Sequence, residues 1–178
     1  MKMKKNILVL MMMILTLPMV AQTWGTKTIQ GDELKGTQNQ IVTAYIDESK
    51  TLYFSTVRDN YFKVLTSKSL FDYSPTWIGA SGKNLVMGIV GIYDSEDKLI
   101  EKIEILFEVE DNRGTVLHPN KYTKMGGNNL KRCKKILDYI KNEQGYIRII
   151  LPLYDSVFDF KVPTLKSYDD EILNLDSI

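Results

Sequence analysis

The chain has 178 residues, with 23 basic and 22 acidic side chains, one histidine and one cysteine. This balance of charge argues against a nucleic-acid-binding domain, because phosphate binding needs a marked basic excess. A single cysteine excludes an intramolecular disulfide, so stability must come from an apolar core. A hydrophobic fraction of 44% is typical of a globular chain.

The first 21 residues predict a cleavable secretory signal. An apolar run from Ile7 to Leu17 is shorter than the roughly 18 residues that cross a bilayer as a helix. Small Ala21 follows it, and cleavage is expected before Gln22. Three basic residues precede the run, namely Lys2, Lys4 and Lys5. We therefore expect an exported protein in the periplasm, outside the cell or at its surface, without stable membrane insertion after cleavage.

Composition divides the remaining chain into three parts. Residues 22–40 are polar and rich in glycine, with no sustained period, which predicts a flexible arm or irregular edge. Residues 41–165 carry runs of Val, Ile, Thr, Tyr and Phe separated by turn residues, which predicts one β-rich domain. Residues 166–178 are expected to be a polar, acidic tail.

The first predicted strands lie between residues 41 and 65. Ile41–Ile46 and Thr51–Val57 are expected to pair through a four-residue loop, and Tyr61–Leu65 follows as a third run. Residues 67–81 have no regular pattern.

A second hairpin is predicted from Asn84–Tyr93 and Leu99–Val109. In the latter, apolar residues at 103, 105, 107 and 109 alternate with a mostly polar set, which is typical of a strand with one buried face. Gly88 and Gly91 in the partner strand indicate a bulge or a close approach of the backbone.

One amphipathic helix is predicted between Gly127 and Gly145, with Asn128 or Asn129 as its cap. Its expected buried face combines Leu130, Cys133, Ile136, Leu137 and Ile140, and its other face is mainly basic. Strands at Tyr146–Leu151 and Val157–Val162 follow. The fold prediction is a mainly β, single antiparallel β-sandwich-like domain with one helix in its C-terminal half. The alternative is an α+β curved sheet around a helix.

Catalytic motifs are not supported by the spacing. The segment Gly79–Lys83 lacks the residues of a phosphate-binding loop and of a nucleophile elbow, and therefore indicates a turn. Cys133 lies on the apolar helix face, where burial would raise its pKa. His118, which precedes Pro119, is the one histidine of the chain and so the one imidazole that could serve Cys133 as a base. Nothing in the spacing brings the two together, so neither Cys133 nor His118 is expected to carry activity.

No metal or cofactor site is predicted. Acidic clusters at 94–97, 108–111 and 169–171 lack the ligand spacing and glycine of a calcium loop, and indicate turns and a charged tail. The basic helix face is read as solvated, because Asp138 and Glu143 dilute its charge. The sequence therefore predicts no catalytic, cofactor-binding or metal-binding residues.

The C-terminal third resembles a known class of exported proteins. Its helix, followed by Gly145–Ile150 and then Phe158–Val162, is similar to small β-sandwich proteins of the invasion-associated locus B type and to periplasmic proteins associated with type VI secretion. The resemblance implies a β-sandwich in the cell envelope. It carries no site residue to this chain, and the paired cysteines common in the first group are absent.

The sequence favours a non-catalytic binding module for a protein or glycan partner in the cell envelope. Two alternatives stay open: a small hydrolase that uses carboxylates, supported by a deep cleft with two acids, and a structural or assembly subunit, supported by an edge strand that pairs with a neighbour.

Overall fold

The computed structural model describes residues 22–31, 38–55, 61–67, 77–78, 84–110, 115–120, 129–152, 157–168 and 172–174. The predicted secretory signal lies outside these ranges. Eleven strands and one α-helix are found within them: β1 Thr23–Ile29, β2 Gln40–Asp47, β3 Lys50–Ser55, β4 Phe62–Thr66, β5 Trp77–Ile78, β6 Asn84–Tyr93, β7 Leu99–Val109, β8 Val116–Pro119, α1 Asn129–Asn142, β9 Tyr146–Pro152, β10 Val157–Pro163 and β11 Leu173–Asn174.

The strands form one continuous sheet in the order β10-β9-β6-β7-β8-β4-β3-β2-β1-β11, with β5 paired to β6. Neighbouring strands are antiparallel except β1 and β11, which are parallel. The prediction of a mainly β fold with one helix is confirmed. Since all strands share one hydrogen-bonded sheet, the curved-sheet alternative describes its connectivity more closely than two stacked sheets.

The central hairpin β6–β7 follows the predicted alternation. Ile103, Ile105, Phe107 and Val109 are all buried in one core. The tight turn between the strands is held by Asp94, whose Oδ1 accepts the backbone N–H groups of residues 96 and 98. The pairing register of the two strands shifts between Ile92 and Tyr93, near the end of β6.

Helix α1 packs against the same core as the sheet. Four of the five side chains predicted to be buried have no exposed surface: Cys133, Ile136, Leu137 and Ile140. The prediction for Leu130 is wrong, because 46% of it is exposed. It lies in the first turn of the helix, where Asn129 and not Leu130 is turned towards β7.

The sheet is strongly curled, because strands far apart in its order contact each other. Tyr45 of β2 stacks on Phe160 of β10, with ring centroids 6.1 Å apart. The indole N–H of Trp24 in β1 donates to the carbonyl oxygen of Pro163 in β10, at 3.2 Å. These contacts join the two ends of the sheet around a common core.

The prediction of a flexible arm at residues 22–40 is wrong for the first part of this segment. Residues 23–29 form β1, which pairs with β2 and β11, and Trp24 is fully buried. The predicted acidic tail likewise contains a short 3-10 turn at Leu165–Ser167 and the strand β11. Both segments have too few apolar residues for a local hydrophobic period to predict their strands. Strands β1 and β11 pair with each other although they are distant in sequence.

Candidate functional site

Part of the outer edge of β7 has no strand partner within the described residues. Strand β8 pairs with β7 only at residues 107 to 109 and ends at Pro119. The backbone N–H of Asn120 makes the last contact, to the C=O of Leu106. Within the described residues, no strand pairs with this edge between Leu99 and Ile105. The opposite edge of β7 is paired with β6 from Glu108 to Leu99, with a register shift that leaves out Ile100.

The unpaired edge presents backbone groups of alternate residues. In an antiparallel ladder, residues two apart direct their N–H and C=O groups to the same side. The C=O of Leu106 accepts the N–H of Asn120, and the C=O of Glu104 accepts a bond from Arg132, so even-numbered residues face outward. Lys102 therefore carries an outward N–H and C=O on the open part of the edge, and Ile100 follows at the register shift between β6 and β7.

Helix α1 runs beside this edge, antiparallel to β7. Asn129 donates to the C=O of Leu106 at 3.0 Å, and Arg132 donates to the C=O of Glu104 at 2.9 Å. One turn later, Lys135 forms an ion pair with Glu101. These contacts fix the helix as a second wall facing the open edge.

A groove lies between the edge and the helix. Its first part has a volume of about 540 Å³ and is lined by Glu101, Lys102, Ile103, Glu104, Lys131, Arg132 and Lys135. A second depression of about 260 Å³ shares Glu101 and Lys135 with the first and extends towards Ile100 and Ile92. Together they follow β7 from Glu104 to Ile100.

The two ends of the groove differ in character. Four basic residues and two acidic residues line the first part, and one acid, Glu101, is already paired with Lys135. The second part is lined by Asp138 and Glu143 as well as by exposed Ile100, of which 56% is accessible. The groove is therefore basic at the Glu104 end and mixed, with an apolar side chain, at the Ile100 end.

A separate polar cluster is buried on the other face of β7. Both carboxylate oxygens of Glu108 have neighbours, with Asn120 Nδ2 at 2.9 Å from Oε2 and His118 Nε2 at 3.7 Å from Oε1. Tyr61 packs on the His118 ring at 5.4 Å between centroids. Nearby Lys63 forms an ion pair with Glu110.

The environment of His118 favours its neutral form. Burial is the largest influence and lowers its pKa, although the backbone of Pro119 and the carboxylates of Glu108 and Glu110 oppose this effect. Asn120 Nδ2, which donates to Glu108, also supports the buried carboxylate. Sequence alternation placed Glu108 on a wet face, but the structure buries it, and hydrogen bonding is what makes that burial tolerable.

Cys133 is fully buried within the core cluster, and burial raises its pKa to about 12. Its thiol therefore lacks the thiolate character of a nucleophile. His118 belongs to the polar cluster with Glu108, on the other side of the strand. Cys133 has the structural placement expected for it.

The structure locates several of the segments for which the sequence made a prediction. The acidic cluster at 94–97 forms the β6–β7 turn, whereas Gly79–Lys83 and 169–171 lie outside the described residues. The expected cap Asn129 is buried and donates its amide to Leu106 and Asn120 instead of accepting from the helix. Asn128 is not among the described residues. The groove itself was not predicted, since no local pattern shows where β8 stops.

Comparison with protein-family models, curated proteins and solved structures finds no match. The resemblance to invasion-associated locus B and type VI secretion proteins gains no support from it. Among the described residues, no helix is long and apolar enough to span a membrane, and no group of three or more ligand-type side chains is placed to hold a metal ion.

Proposed function

We propose that this protein is a non-catalytic binding module that recognises a protein partner through the open edge of β7. The observation that carries the proposal is the pairing of β7, which extends from Leu99 to Glu108 towards β6 but stops at residue 107 towards β8. An extended segment of a partner adds there as a further strand. This mode of recognition draws its affinity from main-chain hydrogen bonds and its specificity from alternate side chains.

The geometry around the edge supports strand addition. Lys102 offers an N–H and a C=O in the orientation of a β-ladder, and Ile100 follows at the register shift. The groove has the length of this segment, and helix α1 forms its opposite wall. Leu99 and Ile100 remain about half exposed, at 49% and 56%, and a partner strand would cover them.

The test removes one outward donor without changing the fold. A phage-displayed library of random nine-residue peptides is selected on the purified protein, and the selected peptides are measured against Lys102→Pro and Lys102→Thr. Both variants lack the ammonium group, but proline alone lacks the backbone N–H. Since that N–H faces away from β6, the sheet tolerates proline at this edge position.

We expect the selected peptides to bind Lys102→Pro at least about tenfold more weakly than Lys102→Thr, which corresponds to about 1.4 kcal/mol. Circular dichroism and thermal unfolding confirm that both variants are folded. His118→Ala and Cys133→Ser, compared as folded protein, bind like the wild type. Equal binding by Lys102→Pro and Lys102→Thr, or selection of no peptide, contradicts the proposal.

A further inference from the structure

We propose that the added segment is antiparallel to β7 and carries an acidic residue before an apolar one. The inference rests on the proposed function and names the chemistry of the partner. It follows from the distribution of charge along the groove and from the register that β7 imposes. The occupant is thus an acidic, extended segment of another protein.

The basic end of the groove selects an acid. Lys102 and Lys131 line it, and among the described residues neither forms an ion pair. Arg132 already donates to the C=O of Glu104, and Lys135 is paired with Glu101. Two ammonium groups are therefore left for a partner carboxylate. Opposite charges directly across a sheet stabilise the pairing, and like charges oppose it.

The register places an apolar side chain at the other end. Ile100 lies at the register shift between β6 and β7, on the hairpin side of Lys102. The partner residue opposite Lys102 is acidic, and the residue beside Ile100 is apolar, since it covers a side chain that is 56% exposed. A carboxylate at this second position would meet Glu143, which lines the depression there, whereas Asp138 is paired with Lys134.

An antiparallel direction sets the order of the two residues. A strand that runs against β7 passes Lys102 before Ile100, so the acid comes first and the apolar residue follows it. The strand would extend a sheet in which β6, β7 and β8 are already antiparallel, and antiparallel pairs are slightly more stable per residue.

A second copy of this chain is a poorer occupant. Antiparallel pairing of two copies centred on Lys102 sets the two ammonium groups opposite each other. Pairing centred on Glu101 does the same with two carboxylates. Like charges directly opposite destabilise a sheet, and this argues for a partner of different sequence.

The experiment reads the selected peptide sequences and reverses one charge in the groove. Peptides from the nine-residue library are aligned, and their affinities are measured for the wild type and for Lys102→Glu. Lys161→Glu is the matched control, because Lys161 lies on β10, is 60% exposed and changes the net charge equally. Lys131→Glu supplies a second reversal on the helix wall.

We expect enrichment of Asp or Glu on the N-terminal side of an apolar residue. Binding of these peptides should weaken about tenfold in Lys102→Glu and in Lys131→Glu, and stay within about twofold in Lys161→Glu, since a favourable cross-strand pair becomes a repulsive one. Added NaCl should weaken wild-type binding, because it screens exposed charges.

Two outcomes would overturn the inference and are distinguishable from failure of the proposed function. If Lys102→Pro weakens binding relative to Lys102→Thr but the selected peptides carry no acid at this position, strand addition holds and the acidic chemistry is wrong. If the protein dimerises in analytical ultracentrifugation and the dimer protects the amide of Lys102, the occupant is a second copy. If peptides bind without any effect of proline, both proposals fail.

Discussion

Trp24 should anchor β1 in the folded core. Replacing it tests whether β1 unfolds together with the rest of the domain. The side chain is fully buried and contacts Tyr45 and Phe54, with ring centroids 5.4 Å and 6.2 Å apart. Its indole N–H also bonds the C=O of Pro163 at the opposite end of the sheet. Trp24→Ala should lower the free energy of unfolding by about 4 kcal/mol, the middle of the range for a buried tryptophan.

Trp24→Phe separates packing from the hydrogen bond. It keeps an aromatic ring but leaves the Pro163 carbonyl without the indole donor, which should cost about 1–2 kcal/mol. The assay is urea unfolding followed by circular dichroism, with thermal unfolding as a second measure. For a domain of this size, about 4 kcal/mol corresponds to a fall in Tm of about 8–16 °C.

Met87→Ala is the control, since this β6 residue is 39% exposed and its loss should cost under about 1 kcal/mol. If Trp24→Ala unfolds within about 0.5 kcal/mol of the wild type, β1 does not contribute to the folded core. The flexible arm expected from the sequence would then be the better description. The same result would remove the link that Trp24 makes between β1 and β10.

Three further predictions concern the core and the polar cluster. Cys133 should react with a thiol reagent only in denaturant, because burial raises its pKa to about 12; rapid labelling of native protein would show that the helix face is misplaced. Gly88→Ala should cost about 1–3 kcal/mol in urea unfolding, because its new methyl group would lie 2.5 Å from the ring of Phe107 and 2.8 Å from Leu151; unchanged stability would contradict that packing. The pKa of His118 is below its ordinary value of 6.5, so the unfolded chain binds the proton more readily, and stability should be complete above pH 6.5 and decline as the pH falls below it. His118→Gln should make that decline less steep, and an unchanged slope would assign it to other groups.

The sequence predicted those elements whose signal is local. Alternating residues of β7 face one core, so the hairpin β6–β7 was located at its observed ends. The helix was located by its 3.6-residue period. Gly88 met the expected close approach, although the neighbours are side chains of Phe107 and Leu151 rather than backbone.

The sequence did not predict elements that depend on distant partners. β1 and β11 carry few apolar residues, and their strand state depends on each other and on β2. Trp24 is an isolated apolar residue in a polar segment, and its burial requires the curl of the sheet. Leu130 shows the opposite error, because it was predicted to be buried and is exposed. A correct helical period does not say which residue of the first turn contacts the sheet.

The candidate site was hidden from the sequence for a similar reason. Alternation identified β7 as a strand with one buried face, but an open edge is a property of its neighbours. The edge is exposed because β8 ends at Pro119 after pairing with only three residues of β7. The basic helix face was noted and read as solvated, and its significance appears only when α1 is placed beside that edge.

Amide hydrogen exchange along β7 tests strand addition most directly, because the strand contains its own control. In the free protein, the outward amide of Lys102 should exchange rapidly, whereas those of Glu101 and Ile103, which face β6, should be protected. A selected peptide at saturation should slow exchange at Lys102 and leave the other two unchanged. Slow exchange at the Lys102 amide without peptide, or no change on binding, would contradict recognition through the open edge of β7.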